Sequence, residues 1–314
     1  MSHQTFNEHA VRVTRTIEFS MAHFYRQDVM SEAQNRAAFG ACFTPYGHGH
    51  NYCLEISIEG VPDFATRLLV ERSFLDHHLK KAVETLDHHH ANFDVPEFQP
   101  RFDGRPTLIP TTENLCLYLV SRLKRQLLSY ARFKLVGVKL FEMADLWVEW
   151  TEQDLGGSKF GTAALGPAFW MHEVSFRAVH RLAVAGFSED ENRALFDRCA
   201  GERGHHYRLQ VTIGTGELFA TGLKREAEDL KPQPLIQSLI TQPEFEQILD
   251  SYVTKEYDGK NLNHVFPYTP QTTPEALLIR ISENLRTALR AHPSVRLAKL
   301  TIFDGENGNS EIDF

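Results

Sequence analysis

Cys42-Phe-Thr-Pro-Tyr-Gly-His48-Gly-His50-Asn-Tyr52-Cys-Leu-Glu-Ile-Ser-Ile-Glu59 decides how this chain is read. From Asn51 to Glu59 the side chains alternate between apolar and polar, the period of a half-buried strand. At the head of that strand His48 and His50 are two residues apart, so both imidazoles project from one face. The same pattern returns later: Gly49, His50 and Tyr52 match Gly204, His205 and Tyr207, each 155 residues on. Around that anchor the offsets stay nearly constant. Phe19, His23 and Cys42 match Phe176, His180 and Cys199 at 157, Asp87 and Asn92 match Asp258 and Asn263 at 171, and Glu113 matches Glu275 at 162. Four blocks in one order, with matching apolar patterns between them, describe a tandem duplication of one α+β unit. The expected copies are 1–150 and 168–314, with the Gly-rich stretch 151–167 as linker.

Within the first copy, Val11 to Phe19 alternates and predicts a strand ending near His23. Glu32 to Phe39 reads as a short helix. Phe64 to Leu86 reads as an amphipathic helix, with Leu68, Leu69, Phe74, Leu75, Leu79 and Val83 at spacings mostly of three and four. A further helix is expected to start at Thr111 as N-cap, with Glu113 in its first turn facing the positive end of the dipole, and to run to about Tyr130. Strands near Lys134–Glu142 and Leu146–Trp150 complete the unit.

The chain has 314 residues, 42% hydrophobic and 24% charged, which suits two folded domains and excludes a disordered or disulfide-framework protein. A net charge of −8 gives no overall positive field for nucleic acid, so a small-molecule partner is expected. Cys42, Cys53, Cys116 and Cys199 form no Cys-x-x-Cys pair, and the first ten residues hold no signal-peptide core. No apolar run reaches the roughly 18 to 20 residues of a membrane span. The expectation is a reduced, cytoplasmic protein without membrane contact.

Sixteen histidines stand out, clustered at 48/50, 77/78, 88–90 and 205/206. Gly49 lets the backbone between the paired imidazoles come close to a neighbour. Either these are ordinary surface or core histidines or, with His23 from the preceding strand if the two strands pair, three neutral imidazoles can hold a metal and leave a coordination position open, the arrangement of catalytic rather than structural zinc. Cys42, six residues before His48, either acts as a base favoured by a nearby dication or is simply buried. Asp87-His88 is either an oriented carboxylate–imidazole pair or an ordinary turn. Cys53 and Cys116 read as packing residues, and His77 and His78 as solvated.

Together, Phe19-Ser-Met-Ala-His23, Cys42-x5-His48-Gly-His50-Asn-Tyr52, Leu86-Asp87-His88, Pro110-Thr-Thr-Glu113-Asn114 and Phe141-Glu142 resemble the 6-pyruvoyl-tetrahydropterin synthase family, which includes 6-carboxytetrahydropterin synthases of queuosine biosynthesis. The resemblance spans about residues 11 to 150. It implies the tunnelling fold, a four-stranded antiparallel sheet with two helices on one face. It implies His23, His48 and His50 as zinc ligands, Cys42 as general base, and Asp87 with His88 as proton relay. It further implies Glu142 as the anchor of the pterin's 2-amino-4-oxo edge, with Thr111 and Thr112 helping to seat that ring. The substrate implied is 7,8-dihydroneopterin triphosphate, with zinc as the Lewis acid and either a 6-pyruvoyl or a 6-carboxy product. The Cys-x5-His-Gly-His spacing resembles the pyruvoyl-forming members more.

The second copy keeps His180 and His205 but has Arg203 in place of His48, and a permanent cation is no zinc ligand. Gly259 replaces His88 and Asp304 replaces Glu142. This copy is therefore expected to be catalytically inert and structural, in a homotrimer with three sites. A non-catalytic pterin- or purine-binding module is the competing reading, because fold alone does not fix function. Intact Cys42, Asp87 and His88 argue against it.

Overall fold

The structure is a computed structural model and describes residues 10–100, 108–152, 168–215, 240–266, 271–293, 295–305 and 308–314. The chain divides into two compact units, with the boundary between Trp170 and Met171. Most of the expected linker, 153–167, lies outside the described residues.

In the first unit β1 (Val11–His23) pairs antiparallel with β2 (His48–Gly60), β2 with β4 (Phe133–Met143), and β4 with β5 (Leu146–Thr151). A two-residue strand, β3 (His89–His90), adds in parallel to β1. Three helices of eight or more residues accompany them among the described residues: α1 (Glu32–Phe39), α2 (Arg72–Val83) and α3 (Thr112–Leu127). Both longer helices pack on the sheet, α2 against β1 and α3 against β4 and β5, and also on each other. This is the expected tunnelling-fold unit.

The core follows from the period of two. Phe19 and Met21 on β1, and Tyr52, Leu54, Ile56 and Ile58 on β2, all point to the helix-covered side and are buried. Each such side chain contributes about 1.5–3 kcal/mol by burial. His23 continues the β1 series and is itself fully buried, while His48 and His50 continue the β2 series toward its start. Because His23 is registered opposite His48 and Met21 opposite His50, strand pairing alone brings the three imidazoles to one end of the core.

The second unit repeats this plan with β6 (Ala168–His180), α4 (Glu189–Phe196), β7 (Arg203–Thr215), α5 (Gln242–Leu249), β8 (Lys260–Asn261), α6 (Pro274–Ala288), β9 (Val295–Phe303) and β10 (Asn309–Asp313). Correspondence extends to single bonds. Cys53 pairs with Phe141 on β2/β4, and Arg208 with Phe303 on β7/β9, the positions the repeat offsets require. Phe19 stacks on Tyr52 at 5.2 Å, and Phe176 on Tyr207 at 5.1 Å. Asn35 caps the backbone of Gln27 as Asn192 caps that of Val184. His88 and Gly259 occupy the same left-handed turn, at φ 60° and 71°.

Some boundaries differ from expectation. The helix expected from Phe64 begins only at Arg72, because Asp63 accepts from the Ala65 and Thr66 amides and Arg67 turns left-handed at φ 58°. Phe64 and Leu68 are exposed accordingly. His78 is not solvated: it is buried against Phe74, with Nδ1 3.2 Å from Gln126 Oε1. Among the described residues no helix is long and apolar enough to cross a membrane.

Candidate metal centre

His23 ends β1 with no exposed surface, and its Nδ1 lies 3.1 Å from the carbonyl of Pro110, just before α3. A carbonyl only accepts, so Nδ1 carries the proton and Nε2 presents its lone pair. That Nε2 is 3.2 Å from His48 Nε2. Four side chains, His23, His48, His50 and Glu142, bring donor atoms within 4.8 Å of one another. Two imidazoles on a tetrahedral zinc, with Zn–N of roughly 2.0–2.1 Å, place their nitrogens roughly 3.3 Å apart. The His23–His48 separation fits that edge.

The electrostatics agree. Burial, followed by the neighbouring His48 and His50, pushes His23 down to about 3, and burial lowers His48 and His50 as well. All three are thus held neutral, the form that binds metals. His50 Nε2 is buried without a hydrogen bond; Glu142 Oε1 is 3.1 Å away, but the approach lacks hydrogen-bond alignment. A buried imidazole nitrogen left this way is costly unless something else meets it. Gly49 permits the arrangement, since a Cβ there would come 3.2 Å from the Met21 carbonyl oxygen.

Glu142 reaches the cluster from β4, just past the last residue paired to β2, and is almost fully buried. Thr112 donates a hydroxyl hydrogen bond to its Oε2, and burial pushes its carboxyl up to about 7 against the pull of that bond. Its Oε1 sits 3.1 Å from His50 Nε2. Thr112 is bonded to Glu142, and Thr111 is the N-cap of α3, accepting from the Asn114 amide. Glu113, read from sequence only as a dipole partner, is a second buried carboxyl near enough to raise that of Glu142. Its burial was not legible because it depends on how α3 docks on the sheet.

Cys42 closes a short 3-10 turn, Gly40–Cys42, and is half-buried; its carbonyl accepts from the Tyr25 amide. Burial raises the Tyr25 and Tyr52 hydroxyls well above their ordinary values, and a Cys42 thiolate and Glu142 add to both shifts. Tyr52 Oη in turn lies 3.2 Å from His23 Nδ1, so Cys42 stands on the electrostatic border of the cluster. Asp87 and His88 form the expected pair, Oδ1 to Nδ1 at 2.8 Å. They are not part of the donor cluster, and the His88 side chain is 82% exposed.

In the second unit the corresponding corner is dismantled. His180 keeps its carbonyl partner, Thr272, at 2.7 Å, and its ring lies 4.9 Å from that of His205. Arg203 instead donates to Cys199 Sγ at 2.7 Å, so the residue in place of His48 occupies the counterpart of Cys42.

An antiparallel sheet with two helices on one face, ending in three neutral imidazoles and a carboxylate, defines a tunnelling-fold protein with a site fit for a divalent metal. The family model for 6-pyruvoyl tetrahydropterin synthase matches residues 12–153. Over 132 residues the chain is 33% identical to the 6-pyruvoyl tetrahydrobiopterin synthase of Pongo abelii and 32% identical to that of Homo sapiens, covering 42% of this chain and 84% of either relative. A solved Caenorhabditis elegans 6-pyruvoyl tetrahydropterin synthase is matched along 100% of its length and 48% of this chain, at 26% identity and a TM-score of 0.42. The chain belongs to the 6-pyruvoyl tetrahydropterin synthase family, a family of lyases.

Proposed function

We propose that the first unit is a zinc-dependent lyase that converts 7,8-dihydroneopterin triphosphate to 6-pyruvoyl tetrahydropterin with loss of triphosphate. The observation that carries this reading is the convergence of His23, His48 and His50 on one point with neutral rings, beside Glu142. His23, His48 and His50 would hold the metal and leave a coordination position open to the substrate. Bound zinc would supply a Lewis acid that stabilises negative charge on the substrate's side-chain oxygen as the neighbouring C–H proton leaves. Cys42 Sγ takes that proton. Asp87 Oδ1 fixes the His88 ring through Nδ1, leaving Nε2 to carry a proton to or from the other side of the substrate. Glu142, its carboxyl pushed up by burial, holds or yields a proton at Oε1 beside His50.

His88 lies outside the cluster of its own chain and is exposed, which suits a site completed by a second copy, in a cytoplasmic homotrimer carrying three sites. The same bound substrate also leads to a 6-carboxy product with release of acetaldehyde, as in queuosine biosynthesis. Incubation with dihydroneopterin triphosphate and mass analysis separates the outcomes: a 6-pyruvoyl product is expected, acetaldehyde with a 6-carboxy product reassigns the branch, and unchanged substrate at full zinc loading refutes the lyase. Cys42→Ala is expected to lower kcat by at least about 100-fold while zinc content stays at that of the native protein.

A further inference from the structure

The second unit carries a recess of about 400 Å³, within the roughly 300–1,000 Å³ range of small-molecule sites. Its lining includes Arg177, Val179, Gly204, His206, Gly259 and Lys260. It occupies the place that the Asp87–His88 corner holds in the first unit, on the same backbone frame. The Ser20 amide donates to Asp87 Oδ1 at 3.1 Å and the Ser20 carbonyl accepts from His88 N at 2.7 Å. Arg177 makes the same two bonds with Asp258 and Gly259, at 2.8 and 2.6 Å. β3 and β8 likewise join their neighbours in parallel, Met21 and Ala22 facing His89 and His90 as Ala178 and Val179 face Lys260 and Asn261.

On this shared frame the side chains have changed in one direction. Arg177 stands for Ser20, His206 for Asn51 and Lys260 for His89, while Gly259 removes the His88 ring. A hydroxyl, an amide and two imidazoles have become a guanidinium, an imidazole, an ammonium and a space. That space is real, because a Cβ on Gly259 would have no atom within 4 Å. The Arg177 side chain is 78% exposed, and Lys260 has no ion-pair partner among the described residues. Asp258, 3.6 Å from Arg177 Nε, balances one of the two permanent charges, and Glu202 is turned to Asn261. Loss of a relay histidine by drift does not require two cations to gather round the gap.

We propose that this recess is a binding site for an oligophosphate anion. The guanidinium offers a planar fork and the ammonium a point charge, donors suited to a multiply charged tetrahedral group, and His206 adds a third from the same face. The site is independent of the first unit's chemistry and stands whether or not that unit is a lyase.

The test is calorimetric titration of the full chain with inorganic tripolyphosphate, with sulfate at matched ionic strength as control. Wild-type protein is expected to bind tripolyphosphate more tightly than sulfate. Arg177→Ser with Lys260→His, which restores the first copy's residues, is expected to weaken binding at least about tenfold. Gly259→His, a side chain the same turn already accepts at His88, is expected to weaken it by filling the recess. His48→Ala with His50→Ala, which disables the first-unit cluster, is expected to leave the affinity within about twofold. Should the double cation variant melt early, Lys260→Gln alone, at an exposed position, is expected to weaken binding about three- to tenfold. Native affinity in the folded cation variants, loss of binding in the His48/His50 variant, or no binding to the wild type at about 1 mM ligand overturns the site.

Discussion

Asn92 shows how little separates the cluster's geometry from its loss. Its side chain accepts from the Phe24 amide at 2.9 Å and donates to the Phe24 carbonyl at 3.0 Å, immediately beyond His23. Asn92→Ala leaves two buried backbone groups without partners, so urea denaturation is expected to show a loss of about 2–4 kcal/mol. Asp63 provides a separate test with a definite sign. Hydrogen bonds from Thr66, Arg132 and Ala65 hold its carboxyl down to about 2 against an ordinary 3.8. A folded-state value below the unfolded one stabilises above the ordinary value, and that stability fades as pH falls through about 4 toward 2. Thermal melts of Asp63→Asn are expected to lose less stability than wild type across that acid window; an identical slope would show that the shift is absent. At this scale the three histidines were legible because strand period and register fix where they point. Glu142 at the cluster was not, since its place depends on how β4 leaves β2 and on a hydroxyl from α3.

Elements carry their own boundaries where capping chemistry is local. Ser31 and Ser188 each close a capping box, with Gln34 and Glu191 reaching back to the cap amides, and the helix expected at Glu32–Phe39 appears with those limits. Ser31→Ala is expected to cost about 1 kcal/mol by chemical denaturation, with less effect for Ser31→Thr. The Thr111 cap of α3 was legible for the same reason, its hydroxyl accepting from the Asn114 amide at 3.4 Å. The start of α2 was not. Apolar spacing continues upstream through Leu68 and Leu69, but the turn set by Asp63 and Arg67 overrides it. Two-residue strands such as β3 and β8 escape any pattern, because only their parallel partner defines them.

For the whole molecule, the duplication was legible because insertions fall between blocks while offsets within blocks persist. The difference between the copies at the site lies in Arg203, Gly259 and Asp304, three positions read directly from the repeat. The proposed sharing of a site between copies makes a sharp prediction. Cys42→Ala and His88→Ala proteins, each inactive alone, are expected to recover part of the wild-type rate when co-assembled, with one zinc per chain by elemental analysis and a trimeric mass by light scattering. No recovery in mixed assemblies would place base and relay in one chain.

The left-handed turn occupied by His88 and Gly259 has one more consequence. Holding a side-chain-bearing residue there costs up to about 1–2 kcal/mol, a cost that glycine escapes. The first copy keeps that tension in the residue that aims its imidazole outward, and the second has let it go. One polypeptide therefore carries its own control: a turn under load beside the same turn at rest, each held by one backbone bond and one bond to an aspartate side chain.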